Sequence, residues 1–156
     1  MDKDLAIPLK AALKEKGVLE IKLRGHCMEP LLYEGDRAHI VPADNFQIGN
    51  LVLVLLSNNL FALHRVVGVC KKGIIAKGDY SGTSEEVSLS KVVGTALDFS
   101  LAGGAWVKDP RSNVELAHLA SLSASLVHNP ANRNVRELIW KANEATRQLM
   151  LSCASL

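Results

Sequence analysis

The spacing of apolar residues changes its period along this chain, and each change predicts an element. Over residues 5–16, Leu9, Ala12, Leu13 and Lys16 fall at helical spacing, with Lys10, Lys14 and Glu15 elsewhere on the wheel. Pro8 fits a first helical turn, where its missing N–H is not needed, and Gly17 fits a C-cap. From Val18 the period becomes two: Leu19, Ile21 and Leu23 alternate with Glu20, Lys22 and Arg24, the pattern of a strand with one wet face. A second strand is expected over 37–41, ended by Pro42. Residues 51–56 are continuously apolar, which predicts a strand buried on both faces. Ser57-Asn58-Asn59 reads as a hairpin loop, and 60–70 as the returning strand, with His64 in its middle. Ile74-Ile75-Ala76 is a short apolar strand, 77–82 a polar loop, and 92–99 a strand that closes the sheet.

The pattern then turns helical again. Ser112-Asn113-Val114-Glu115 is a capping-box sequence opening a helix to about residue 127, and Asn129-Pro130 breaks it. A last helix is predicted over about 132–153. Its apolar stripe is Val135, Leu138, Ile139, Ala142, Leu149 and Cys153, with Arg133, Arg136, Glu137, Lys141, Glu144 and Arg147 outside it. The expected fold is therefore α+β: one domain over 1–156, a β core over 18–100, and a helical extension over 110–156. That extension could pack on the core, form a homodimer or dock a partner, and the stripe leaves these open.

Composition narrows the function classes. Of 156 residues, 48% are apolar and 22% charged, as in ordinary globular proteins, and this length can bury a core. Net charge is +2 with the basic residues scattered, which argues against nucleic acid as a partner. Three Cys, at 27, 70 and 153, form no C-x-x-C pair, so reduced thiols and a cytoplasmic location are the expectation. No apolar run approaches the ~20 residues of a membrane-spanning helix. Met1-Asp2-Lys3-Asp4 lacks the basic region of a signal peptide. A soluble chain with no integral membrane segment and no cofactor is expected.

One stretch carries candidate chemistry: Gly25-His26-Cys27-Met28-Glu29-Pro30, followed by Gly35-Asp36. Pro30 and Gly25 constrain the backbone there, so Cys27 sits on a stiff turn after a strand. A thiol is activated when a base accepts its proton. Five His are present. His118 and His128 belong to the helical extension, His39 lies mid-strand as a half-buried structural residue, and His26 neighbours Cys27 in an extended segment and so points away from it. His64 remains as the base. A metal site built from His26, Cys27, His64 or Cys70 lacks a familiar spacing.

Four motifs in order, Gly25-His26-Cys27-Met28-Glu29-Pro30, Gly35-Asp36, His64-Arg65-Val66-Val67 and Lys77-Gly78-Asp79, resemble those of the signal peptidase I family over about residues 18–100. The closer likeness is to its endoplasmic-reticulum-type branch, which has His where the bacterial branch has a Lys base. The resemblance implies a LexA/signal-peptidase-like coiled antiparallel β-sheet barrel. It also implies a peptidase in which Cys27 takes the place of the nucleophilic Ser, His64 is the general base, and Asp79 either orients His64 or supports its loop. Glu85 and Glu86 lie near the place of a second acid. The Cys27 N–H would be one oxyanion donor. Gly25, which replaces a hydroxyl residue of some bacterial members, offers no side-chain donor. His26, Met28 and Pro30 would shape the turn and the substrate site. Without the family's membrane anchor, the implied partner is a soluble peptide or precursor protein, such as a leader peptide. Self-cleaving repressor and mutagenesis-type proteases share this nucleophile box, but they use a Lys base, and a repressor's DNA-binding domain does not fit in 17 residues. A catalytically inactive peptide-binding module of the same fold is the alternative.

Overall fold

The computed structural model describes residues 5–154; Met1–Asp4 lie outside the described residues. Three helices, α1 (Ala6–Lys16), α2 (Asn113–His128) and α3 (Arg133–Ala154), accompany eight strands. These are β1 (Leu19–Lys22), β2 (Arg37–Val41), β3 (Leu51–Leu55), β4 (Phe61–Val69), β5 (Gly73–Lys77), β6 (Glu85–Ser88), β7 (Val92–Ser100) and β8 (Trp106–Val107). All pairings are antiparallel, in the order β1-β2-β7-β3-β4-β5-β6, with β8 added to β7. The class is α+β with a mainly antiparallel sheet. Its end strands, β1 and β6, do not pair with each other, so the sheet is open rather than a closed barrel.

The apolar run of β3 explains the middle of the sheet. All five of its residues are buried. Leu51, Leu53 and Leu55 join one core cluster, with Met28, Leu31, Leu32, Leu63 and Phe99, while Val52 and Val54 join another, with Val66, Ile74 and Val87. The period of two thus feeds two cores from one strand. At ~1.5–3 kcal/mol for each fully buried large side chain, β3 is a main source of stability. Helix α1 ends where Gly17 adopts φ 80° and donates to Leu13 O at 2.7 Å. Leu13 then packs on β7, where a Cβ at Gly94 would come within 2.8 Å of it.

Two placements differ from the pattern reading. Residues 92–100 do not close the sheet: β7 lies between β2 and β3, pairing with β2 through its second half and with β3 through its first. Long-range pairing decides that position, and apolar spacing does not encode it. Strand β6, with Glu85 and Glu86, escaped the reading because an edge strand need not be apolar. The capping box is present, with the Ser112 hydroxyl accepting from Glu115 N and the Glu115 carboxylate accepting from Ser112 N. Among the described residues no helix is long and apolar enough to cross a membrane.

Candidate active site around Cys27

The turn after β1 is closed by short-range hydrogen bonds. Glu29 N donates to His26 O at 3.2 Å and Leu32 N to Met28 O at 3.0 Å. Gly25, at φ 80°, makes the bend that side chains avoid, and its N–H donates to Glu34 Oε1 at 3.4 Å. Met28 and Pro30 are buried and anchor the turn in the core. His26 faces solvent and pairs with Glu29 at 2.7 Å, a hydrogen bond that raises its pKa. Its neighbour Cys27 is half-buried and packs against the core. The backbone N–H of Cys27 makes no hydrogen bond to another residue among the described residues.

Cys27 is the one thiol lining a groove of about 330 Å³. The walls are apolar, including Ile21, Leu23, Leu53, Phe61 and Leu63. Strand β1 forms one side, and among the described residues its outer edge carries no partner strand.

The Gly-Asp loop after β5 meets this turn. A Cβ at Gly78 would lie 2.8 Å from Cys27 O and 3.0 Å from Cys27 Cβ, so only glycine permits this approach. Next to it, Asp79 is fully buried and accepts from Arg65 Nε at 2.6 Å, Arg65 Nη2 at 2.8 Å and Asn143 Nδ2 at 2.8 Å. Arg65 spends its remaining reach on Gly49 O at 2.9 Å. Burial alone would raise the Asp79 carboxyl, but the Arg65 charge and these hydrogen bonds hold it below the usual carboxylate range. Burial likewise opposes the Arg65 charge, which Asp79 restores, leaving its pKa raised. The Asp79 carboxylate thus bonds to Arg65 and Asn143, and none of these hydrogen bonds reaches His64.

His64 sits on β4 beside Arg65, in register with Val52 of β3. Its Nδ1 is buried and has no hydrogen-bond partner. Burial lowers its pKa, against the charges of Asp79 and Glu85 that raise it. The Cys27 thiol is pushed up by burial, with Asp79 and Glu29 adding to the rise and its own N–H opposing it. Among the described residues no hydrogen bond joins Cys27 to His64, and His64 does not line the groove. Both residues nevertheless feel the Asp79 charge. The resting arrangement is a neutral thiol and a neutral imidazole.

The remaining sequence candidates separate clearly. Glu85 accepts from Ser57 N at 2.7 Å and Ser57 Oγ at 2.9 Å, while Glu86 is exposed. His39 is tied to Asp98 at 2.6 Å and stacks on Trp106 at 3.5 Å; His118 and His128 are exposed. Among the described residues no group of three or more His, Cys, Asp and Glu side chains is arranged to hold a metal ion.

Several supporting residues are invisible to the pattern. Lys77 belongs to β5 rather than to the polar loop, and is buried. Its ammonium donates to Gly78 O at 2.9 Å, Asp79 O at 3.3 Å and Ser123 Oγ at 2.8 Å, pinning the loop carbonyls, and burial pushes its pKa down to about 8. Arg147, placed outside the apolar stripe of the last helix, turns inward and donates to Asp36 and to Leu31 O. The buried face of α3 is Ile139, Asn143, Thr146 and Met150, while Leu138 and Leu149 are exposed. A charged residue between apolar neighbours, as in Leu63-His64-Arg65-Val66, was the available signal for Arg65. Asn143 had none.

Comparison with protein-family models, curated proteins and solved structures finds no match for this chain.

Proposed function

We propose that this chain is an endopeptidase that cuts a peptide or precursor protein, with Cys27 as nucleophile and His64 as general base. The fold proposed for it is an opened form of the LexA/signal-peptidase-like coiled sheet. The observation that carries the reading is the setting of Cys27: a thiol on a tight turn, lining an apolar groove beside a strand edge that has no partner among the described residues. An extended peptide adding to β1 would lie along that groove, with backbone hydrogen bonds for affinity and apolar walls for its side chains.

The chemistry follows from the groups present. His64 takes the Cys27 proton and the sulfur attacks the peptide carbonyl carbon. The Cys27 N–H, free of other partners, stabilises the developing oxyanion. Imidazolium His64 returns the proton to the leaving amine as the C–N bond breaks, giving a thioester that water hydrolyses. A neutral imidazole at pH 7, which its lowered pKa favours, is the form this requires. The partner is a peptide or precursor, leader peptides being the suggested class, and the location suggested by the reduced thiols is the cytoplasm.

The missing Cys27–His64 hydrogen bond favours one second reading, a peptide-binding module without turnover. Both predict peptide binding in the groove, and only the first predicts cleavage that depends on Cys27. Wild type and Cys27→Ala are incubated with a complex peptide mixture and products are read by mass spectrometry. Cuts made by wild type and absent with Cys27→Ala support the peptidase. Peptides retained by both proteins and cut by neither leave the binding module standing instead.

A further inference from the structure

The loop that carries Cys27 and the loop that abuts it are gripped by one face of one helix. Asn143 and Arg147 stand four residues apart on α3, which places them on the same face about 6 Å apart along its axis. Asn143 Nδ2 donates to Asp79 Oδ2 at 2.8 Å. Arg147 Nη1 donates to Asp36 Oδ2 and, at 3.0 Å, to Leu31 O, with its guanidinium 4.7 Å from the centre of the Tyr33 ring. Leu31, Tyr33 and Asp36 belong to the segment that leaves the Cys27 turn. Asp79 follows Gly78, whose backbone touches Cys27. Met150, one turn further along, lies in the same core cluster as Met28 and Leu31.

The hydrogen bonds are built for alignment. Asp36 also accepts from Tyr33 N at 2.8 Å and Ala102 N at 2.9 Å, so Arg147 completes a carboxylate that already closes the turn. Asn143 Oδ1 accepts from Arg111 Nη1 at 2.9 Å, and Arg111 is held in turn by Asp109 at 2.7 Å, so the Asn143 amide is oriented from behind. Two motif aspartates from distant parts of the chain are thereby held at a fixed separation by a rigid helix. The contact between Cys27 and Gly78 lies between the two loops so held.

We propose that α3 is the strut that sets the position of Cys27, with Arg147 and Asn143 as positioning residues for it. The proposal rests on the reading of Cys27 and His64 as the reactive pair. Arg147 acts on the turn from one side and Asn143 on the Gly78 loop from the other, so their effects converge on one contact.

The test is the rate of Cys27 alkylation by iodoacetamide against pH, read by mass spectrometry on the full chain well below each variant's unfolding temperature. Arg147→Gln and Asn143→Ala should each change the rate at neutral pH about 5-fold or more and move the inflection by about half a unit or more. Arg147→Lys, which keeps the charge at Asp36 but loses the planar fork, should lie between wild type and Arg147→Gln. The double variant should change less than the product of the singles, because both act through one contact. Gln148→Ala, on the exposed side of α3, should match wild type. Folded Arg147 and Asn143 variants with the wild-type profile would overturn the strut, and if Arg147→Gln does not fold, Arg147→Lys decides in its place. Cleavage of a complex peptide mixture by wild type and folded His64→Gln separates the two failures. Cleavage by wild type that His64→Gln loses, beside unmoved α3 variants, sinks this inference alone, whereas cleavage that is absent from wild type or fully retained by His64→Gln sinks the reactive pair.

Discussion

Replacing Asp79 by Asn tests the claim that this carboxylate works for the loop. The side chain is fully buried and accepts three hydrogen bonds, two from Arg65 and one from Asn143. Asn keeps one acceptor oxygen but leaves the Arg65 charge buried without its counter-ion. Breaking a buried pair on one side costs ~3–5 kcal/mol, and the retained oxygen puts the change near the lower end, about 3 kcal/mol. Against a typical total of ~5–15 kcal/mol this is a large fraction. At ~2–4 °C per kcal/mol for a chain of this size, Tm should fall by about 6–12 °C. The folded-state pKa of Asp79 lies below its unfolded value, so its stabilisation is full above pH ~4 and is lost as pH falls through the folded value. The gap between wild type and Asp79→Asn, measured by urea unfolding, should therefore be widest at neutral pH and narrow below pH ~4. A second sign comes from Cys27. The Asp79 charge raises the Cys27 pKa, so its removal should move the alkylation inflection down. An Asp79 that activated the pair would move it up. A variant within about 1 kcal/mol of wild type at neutral pH, or one whose deficit persists unchanged in acid, would refute the account, since a buried pair must cost more than that.

Cys27 in the resting protein should be alkylated with an inflection above the ordinary thiol value of ~8.5, because burial opposes the thiolate; an inflection below it would mean a preformed ion pair. Gly78→Ala would drive its Cβ into Cys27 O and Cβ, at 2.8 and 3.0 Å, so it should lower stability by about 1–3 kcal/mol and alter Cys27 alkylation; thermal unfolding with wild-type midpoint and rate would contradict the contact. Cys27→Ser should retain measurable cleavage wherever wild type cleaves, as a neutral resting pair implies, and complete loss in the folded variant, read by product mass spectrometry, would count against it.

The strands and the site motifs differ in how much of them the chain order reveals. Local chemistry marks Gly17, the Ser112–Glu115 box and the five buried residues of β3, because each satisfies its own neighbours or a repeating face. The place of β7 between β2 and β3 depends on pairing across tens of residues, and no local period records it. The last helix shows the limit of a stripe, which left open what α3 packs on. Its apolar residues Leu138 and Leu149 are 56% and 52% exposed, while Asn143 and Thr146, which the stripe did not contain, are buried. The helix buries Ile139 against α2 and Met150 in the main core, but between them it presents polar side chains to the loops, which an apolar stripe does not encode. Asn143 meets Asp79, and Thr146 satisfies itself on Ala142 O at 2.9 Å. The motif order pointed at Cys27, Asp79 and His64, and the structure brings the Cys27 turn and the Gly78–Asp79 loop into contact. It leaves His64 without a hydrogen bond to either. The residues holding the arrangement, Arg65, Lys77, Asn143 and Arg147, are long or polar side chains whose burial depends on partners far along the chain.

The electrostatics of the site bear on how Cys27 would act as the proposed nucleophile. A thiol protease built on a preformed ion pair needs surroundings that lower the thiol and raise the imidazole. Here burial moves both groups the other way, Cys27 up and His64 down, and both moves favour the uncharged pair. Asp79 does not reverse this, since its charge raises the imidazole but raises the thiol as well, and Arg65 neutralises most of it at 2.6 Å. Under the proposed mechanism the proton would move only as the sulfur attacks a carbonyl, which is the order of events a serine nucleophile also follows. The orphaned His64 Nδ1 fits the same picture: among the described residues no carboxylate hydrogen-bonds that nitrogen, and burial outweighs the Asp79 and Glu85 charges that favour an imidazolium. The proposed peptidase would therefore favour a bound peptide over small electrophiles, because a neutral half-buried thiol reacts slowly with whatever diffuses in and would become nucleophilic only beside a seated substrate.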